Sequence, residues 1–389
     1  MNFQAQSRRI VAPGGGHAGR RRYSGGMMSG TDSVKTHMRS LRAGVIALLA
    51  VLALAPRPTA QGLSYSLFER YLESLRDQTA IPGLSAVIVQ GRRVVWAVGL
   101  GKQDIEKAIA ARPDTPYLIG DLTQSFGAVV LGQCIERTGL NIDDPMRRWT
   151  SDIPESAATV RQVLAHASTG SGDAFLYDPA RYAALTSVAE VCADRPFRRT
   201  IAEDIFGRLG MRDSLPGRDL ERIATSSPFF DNDTLKRYEA VLLRMAVPYR
   251  IDRSGKATRG DYPTDRVSTA TGLISTALDL ARFDSAIDND ELVHGELRAV
   301  AWTNVTTSSG AVLPSGLGWF VQTYKGERLV WHFGSVRDTS SSLVLKVPGR
   351  DITLILLANS DGLSAPYALA DGDVTASLFA KLFLRLFVS

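Results

Sequence analysis

A chain of 389 residues with 44% apolar and 22% charged residues has an ordinary globular composition and is long enough for one large domain or two. Its formal charge of +5 is uneven: residues 1–42 hold eight Arg or Lys against Asp32 alone, which leaves the remainder at −2. The body therefore lacks the basic excess of a nucleic-acid-binding protein, and no repeat spacing suggests a solenoid or propeller.

Residues 1–37 are rich in Gly, Ser and Arg without apolar periodicity, which predicts a disordered leader. Arg39 and Arg42 then precede the apolar run Ala43 to Ala55, followed by Pro56-Arg57-Pro58-Thr59-Ala60. A basic flank, a short apolar stretch and small residues form the pattern of a secretory signal peptide, here around residues 38–60. The run falls short of the roughly 20 residues that span a bilayer, so a membrane partner is expected only if this segment stays uncleaved. The expected location is periplasmic or extracellular.

Tyr65 to Ala80 places Leu67, Phe68, Tyr71, Leu72 and Leu75 on one helical face. Ile81-Pro82-Gly83 ends it, and LSAVIVQ and RVVWAVGLG read as a β-hairpin turning at Gly91-Arg92. Val87, Ile88 and Val89 are consecutive apolar residues, which predicts a strand covered on both faces. Thr123 to Thr138 is a helix closed by Gly139. Thr159 to His166 is a short helix with Thr159 as N-cap, and Ser168 to Gly172 is a small-residue loop. Tyr182 to Ala193 and Thr200 to Leu209 are also helical. Cys134 and Cys192 each fall in such an apolar helix. Export permits a disulfide, but two buried free thiols are the expectation.

Residues 228–261 show no clear pattern and are expected to include a long loop. A helix follows Ser275-Thr276. Strands are then predicted at Leu317–Thr323, Leu329–Phe333, Ser341–Lys346 and Ile352–Ala358, with a final helix from about Val374 to Phe387. Strands at both ends with helices between them predict an α/β (α+β) fold: one antiparallel sheet flanked by helices, with an inserted all-helical part. The expected organisation is residues 1–60 as leader and signal, and 64–389 as one domain. Within it, about 64–115 and 265–389 form the α/β part and about 120–260 the helical part.

The order of several short stretches resembles the serine β-lactamase and penicillin-binding-protein family, nearest the class C and esterase-like branch. These stretches are Thr115-Pro116-Tyr117, Val163-Leu164-Ala165-His166, Leu209-Gly210-Met211-Arg212-Asp213, Ser275 to Phe283, and Gly316-Leu317-Gly318-Trp319. The resemblance covers most of residues 64–388 and implies that family's fold. It also implies three catalytic motifs. The first, Ser-x-x-Lys at a helix start, sets a lysine one turn from the serine hydroxyl so that its amine can take the proton. Here Asp121 stands at the serine position and Gln124 at the lysine position. None of the eight lysines has a serine three residues before it. Gln124 cannot act as a base near neutral pH, and Asp121 reads as a helix N-cap. Ser125 has no basic partner at local spacing.

The second motif, Tyr-x-Asn, corresponds to Tyr177-Asp178-Pro179, followed by Tyr182-Ala183; Tyr177 keeps the phenol and Pro179 replaces the amide. The third, Lys-Thr-Gly or His-x-Gly on an edge strand, corresponds to His332-Phe333-Gly334-Ser335. Asp121, Gln124, Tyr177 and His332 are thus the motif positions, with Pro179, Gly334 and Ser335 beside the expected cleft. No cofactor and no metal cluster is implied; the five histidines are scattered. Three readings follow. One is a non-hydrolytic member binding a cell-wall fragment, a small molecule or a protein. The second is a rewired or residual hydrolase of β-lactam, peptide or ester bonds. The third is a purely structural exported protein.

Overall fold

A computed structural model describes residues 60–151, 157–167, 172, 174–219, 230–263 and 266–388. Residues 1–59 of the predicted leader and signal segment, and Ser168 to Ser171 of the predicted loop, lie outside the described residues.

Helix α1 (Ala60–Gln78) leads into the hairpin β1 (Gly83–Gln90) and β2 (Arg93–Asp104), followed by the short β3 (Ile109–Ala110) and β4 (Tyr117–Leu118). Helix α2 (Thr123–Thr138) keeps its predicted bounds. Helix α3 (Val160–Leu164) opens on a capping box: the Gln162 amide donates to the Thr159 hydroxyl, and the Thr159 amide donates to the Gln162 side chain. Then come α4 (Pro179–Tyr182), α5 (Leu185–Ala193) and α6 (Phe197–Thr200), which runs on as a π-helix over Ile201–Gly207.

The stretch expected to be loop instead holds α7 (Asn232–Leu242) and the hairpin β5 (Tyr249–Ile251) and β6 (Ala257–Arg259). Helix α7 buries only Tyr238 and Val241, too few apolar positions to print a helical period on the sequence. Its start is set by Asp231, whose carboxylate accepts from the Thr234 amide. The hairpin turns on Asp252, which accepts from the amides of Ser254 and Lys256.

The last third holds β7 (Ile274–Ser275), α8 (Ala277–Asp288), α9 (Gly295–Ala301), β8 (Phe320–Tyr324), β9 (Glu327–Val336), β10 (Ser340–Val347), β11 (Ile352–Ala358) and α10 (Leu378–Phe387). Strand β8 starts three residues later than predicted, because the Gly318 amide is turned away to the Leu164 carbonyl. Helix α10 starts later too, after a 3₁₀ turn at Val374–Ala376 and a Ser377 cap.

The main sheet has seven strands in the order β3-β2-β1-β11-β10-β9-β8, with antiparallel neighbours throughout. β1 and β11 are direct partners, from Leu84 opposite Ala358 to Gln90 opposite Ile352. Side chains alternate across the strands. Val87, Val89, Ile355 and Leu357 enter a core shared with α2 and α8. Leu84, Ile88, Leu354 and Leu356 enter a second core under α1 and α10. Both faces are covered, which is why the two central strands read as unbroken apolar runs.

One polar tie crosses the first core. Lys346 of β10 is buried, with its ammonium 2.9 Å from Asp284 and 2.6 Å from Asp288, both on α8. The two carboxylates hold the lysine pKa up against the burial that lowers it. Removing one side of such a pair strands an uncompensated buried charge. Lys346→Met is expected to destabilise the fold by about 3–5 kcal/mol, measured by urea denaturation; a change under about 1 kcal/mol would contradict that role.

The expectation of two free thiols is overturned: Cys134 and Cys192 form a disulfide. Read one helix at a time, each cysteine is simply apolar. Helices α2 and α5 pack side by side, however, and bring the two Cα atoms to 6.0 Å, inside the range a disulfide bridges. The crosslink closes a loop of 58 residues. Chain-entropy arguments give such a loop about 4 kcal/mol of stabilisation through the unfolded state. The Cys134→Ser, Cys192→Ser variant should therefore lose about 3–4 kcal/mol in urea denaturation, and alkylation without reductant should label neither cysteine. Labelling of both in the native protein would refute the bond.

Candidate functional site

The site forms where α2 begins and β9 runs free of β8. Strand β8 pairs with β9 only from Glu327 to Trp331, while β10 pairs with it from Val330 to Val336. Beyond Trp331 no strand pairs with the second edge of β9 among the described residues. A single 3₁₀ turn, Gly120–Leu122, packs against that stretch.

The approach is close enough to require two glycines. A Cβ on Gly334 would lie 2.0 Å from the Ile119 carbonyl oxygen and 2.5 Å from the Ser342 hydroxyl. Gly120 has φ +57°, and a Cβ there would meet the Ser335 amide at 3.1 Å. The Ser340 and Ser342 hydroxyls of β10 donate to the Leu118 and Ile119 carbonyls at 2.7 and 2.8 Å. The turn that carries Asp121 is thus hydrogen-bonded to the sheet on one side and continues into α2 on the other.

Asp121 does not cap α2 as expected. The cap position is Leu122, with no side-chain hydrogen bond, because the 3₁₀ turn places Asp121 before it. Its half-buried carboxylate accepts from the Tyr177 hydroxyl. Gln124, the second residue of α2, is fully buried. Its Nε2 donates to the Tyr177 hydroxyl at 3.4 Å, and its Oε1 meets His166 Nε2 at 2.8 Å. Since Oε1 can only accept, His166 Nε2 carries the proton, and His166 Nδ1 accepts from the Asp178 amide at 3.2 Å. The donors therefore run in one direction, from the Asp178 amide through His166, Gln124 and Tyr177 to the Asp121 carboxylate. Every member before the carboxylate is neutral.

His166 was read in the sequence only as part of a matching stretch, not as a site residue. Its backbone has φ +51°, uncommon for a non-glycine residue. It sits just past α3 and stacks on Tyr182 at 5.1 Å. Tyr182 in turn donates to the Gln124 carbonyl at 3.1 Å. Its contact with Gln124 joins residues 42 positions apart and leaves no local signal in the sequence.

Pro179 occupies the first position of α4, and the Asp178 carboxylate before it accepts from the Arg181 amide. Proline suits that position because the first helical amide has no intrahelical partner. The residue that departs from the Tyr-x-Asn pattern is thus a helix-starting residue here. The Tyr177 ring packs against Phe333 of β9 at 5.3 Å and Phe320 of β8 at 5.6 Å.

His332 is buried on β9, two residues before Gly334 and so on the same face, with Nδ1 2.8 Å from the Phe333 carbonyl. A charge on His332 would oppose one on His166. The structure therefore brings Asp121, Gln124 and Tyr177 together by hydrogen bonds and sets His332, Gly334 and Ser335 on the strand facing them. Ser125 stands apart: it is fully buried, and its hydroxyl points to the Gly318 carbonyl at 3.5 Å.

Burial depresses both histidines. His166 falls to about 3, from burial first and then the neighbouring His332 and Arg181. His332 falls to about 4, from burial, partly offset by its bond to the Phe333 carbonyl. Tyr177 is pushed well up by burial and by Asp121, so it stays a phenol.

Residues 68–376 match the beta-lactamase family. The mitochondrial serine beta-lactamase-like protein LACTB of Mus musculus is 26% identical over 120 residues, 28% of this chain and 22% of its own. Protein flp of Staphylococcus aureus strain MRSA252 is 22% identical over 314 residues, 74% of this chain and 61% of its own. The chain thus spans less than two thirds of these relatives. Among solved structures, the octameric penicillin-binding protein homologue from Pyrococcus abyssi superposes with TM-score 0.67 at 21% identity, over 83% of this chain and 77% of that one. D-amino acid amidase from Ochrobactrum anthropi superposes with TM-score 0.63 at 18% identity, over 82% and 98%. At these identities the two structures establish the fold.

The two histidines give a testable pH dependence. Their folded pKa values lie below the unfolded value of 6.5, so the unfolded chain binds more protons as pH falls. The stability they contribute is complete above about pH 6.5 and is lost as pH drops toward 4 and then 3. Between pH 7.5 and 5.5 the pair should cost at most about 3 kcal/mol. Urea midpoints at the two pH values measure it, and His332→Gln should keep about half of the drop. Equal midpoints in the wild-type protein would contradict burial of neutral imidazoles.

Proposed function

The chain belongs to the beta-lactamase family, and from that premise we propose a non-hydrolytic member that binds a ligand or partner in the family cleft. The observation that carries this is Gln124. Where a hydrolase of this fold needs a basic amine, a neutral amide is fixed between His166 and Tyr177. The residue at the nucleophile position is a carboxylate, already accepting from Tyr177. Losing the nucleophile of a catalytic unit costs several orders of magnitude in rate, and here nucleophile and base are both replaced.

The charge of the cleft constrains its ligand. Asp121 contributes a carboxylate, while His166 and His332 are neutral near pH 7. A second carboxylate brought to this turn meets repulsion. The preferred ligands are neutral or cationic cell-wall fragments, small molecules or peptide segments, with the free edge of β9 available for main-chain hydrogen bonds. Export fits the same reading: residues 38–60 have the pattern of a signal peptide, and the disulfide suits an oxidising compartment.

The competing reading is a rewired hydrolase with Asp121 or Ser125 as nucleophile. Intact-mass spectrometry after incubation with penicillin and with a p-nitrophenyl ester separates the two. No covalent adduct is expected on the wild-type protein. The Asp121→Ser, Gln124→Lys variant, which rebuilds the Ser-x-x-Lys pair, serves as the reference for labelling. A stoichiometric wild-type adduct mapped to Asp121 or Ser125 would establish the rewired hydrolase instead.

A further inference from the structure

The face of the protein opposite the cleft helices carries a groove between α1 and α10. The two helices run antiparallel: Tyr65 stacks on Phe387 at 5.5 Å, and Phe68 meets Phe383 at 6.3 Å. Their inner sides close the second core. Their outer sides leave apolar surface uncovered. Tyr71 is 52% exposed and Leu378 45%, and Leu75 and Leu382 line the same groove. Lys381 and Arg385, one turn apart on α10, flank it, and no carboxylate lines it. Among the described residues neither cation is in a salt bridge; Lys381 acts on Asp373 only through space.

This cationic strip is local. Residues 60–389 carry 36 basic and 39 acidic residues, so the folded unit has a net charge of −3. Exposed Tyr71 and Leu378 beside Leu75 and Leu382, framed by Lys381 and Arg385, are the chemistry of an interfacial membrane contact. Connectivity adds an independent reason. The apolar run Ala43 to Ala55 ends five positions before α1 begins at Ala60. Whenever that run occupies a bilayer, α1 starts within about 18 Å of it along the chain. No helix among the described residues is long and apolar enough to cross a membrane, so this contact lies on the surface.

We propose that the α1–α10 groove docks on an anionic lipid bilayer, with Tyr71, Leu75, Leu378 and Leu382 at the acyl boundary and Lys381 and Arg385 on lipid phosphates. This leaves the cleft, on the other side of the sheet, open to ligand while the protein lies on the membrane. The inference is independent of the reading of the cleft.

The test is co-sedimentation of the 60–389 chain, which contains both cores of the fold, with phosphatidylcholine vesicles with and without 30% phosphatidylglycerol. Binding is expected on the anionic vesicles and should weaken with salt. Lys381→Glu with Arg385→Glu should weaken it about 30-fold or more, whereas Lys236→Glu with Arg237→Glu on α7, which packs in a cluster without residues of α1 or α10, should leave it near wild type. Binding absent from a protein with native circular dichroism, or equally weakened by both pairs, would overturn the proposal. So would a solution dimer that Leu378→Ser dissolves in the absence of vesicle binding, which would give the face to a second copy. A second measurement uses the full chain. An environment-sensitive dye on Ser74→Cys should shift to the blue on anionic vesicles, and the same dye on Lys236→Cys of α7 should not; equal response at both positions would overturn it too.

Discussion

The pairing of β1 with β11 is the constraint on which the rest of the molecule hangs. It joins residues 84–90 to residues 352–358, so the two strands at the centre of the sheet come from opposite ends of the folded unit. Neither apolar face is complete until they meet, because each core takes alternate side chains from both. Closing so long a loop costs chain entropy that local contacts cannot repay. Both strands are therefore apolar on both faces, and each pairs on both of its edges. The buried Lys346–Asp284–Asp288 group then fixes α8 over the sheet.

Much of this was legible. The runs that became β1, β2, β10 and β11, and the helix Thr123–Thr138, announced themselves because burial forces a strong apolar pattern. What the sequence concealed was structure held by few apolar contacts. Helix α7 buries two residues, and the β5–β6 hairpin is organised by the Asp252 side chain, so neither prints a period. The disulfide was misjudged for a different reason: it depends on the facing of α2 and α5, a tertiary fact absent from either helix alone. The same holds in the site. Asp121, Gln124, Tyr177 and His332 were found through a pattern of motifs, whereas His166 emerged only when the turn after α3 set its imidazole against Gln124.

A lysine at a helix turn of this kind is an ammonium that must be compensated and kept ready to lose a proton. Gln124 needs neither. Its amide has one acceptor and one donor end, and the structure uses both, toward His166 and Tyr177. The depressed histidines and the protonated phenol fit that neutrality: a charge on any of them would face buried dipoles already committed elsewhere. The single formal charge of the arrangement sits at its end, on the half-buried Asp121.

That chain of hydrogen bonds also couples positions 121 and 124 to each other. A serine at position 121 alone would face a phenol and an amide, and nothing there could remove its proton. A lysine at position 124 alone would find a carboxylate one turn away and neutralise it as an ion pair. Each single substitution is chemically idle, so positions 121 and 124 act as a unit: a Ser–Lys pair takes effect here only when both residues change together.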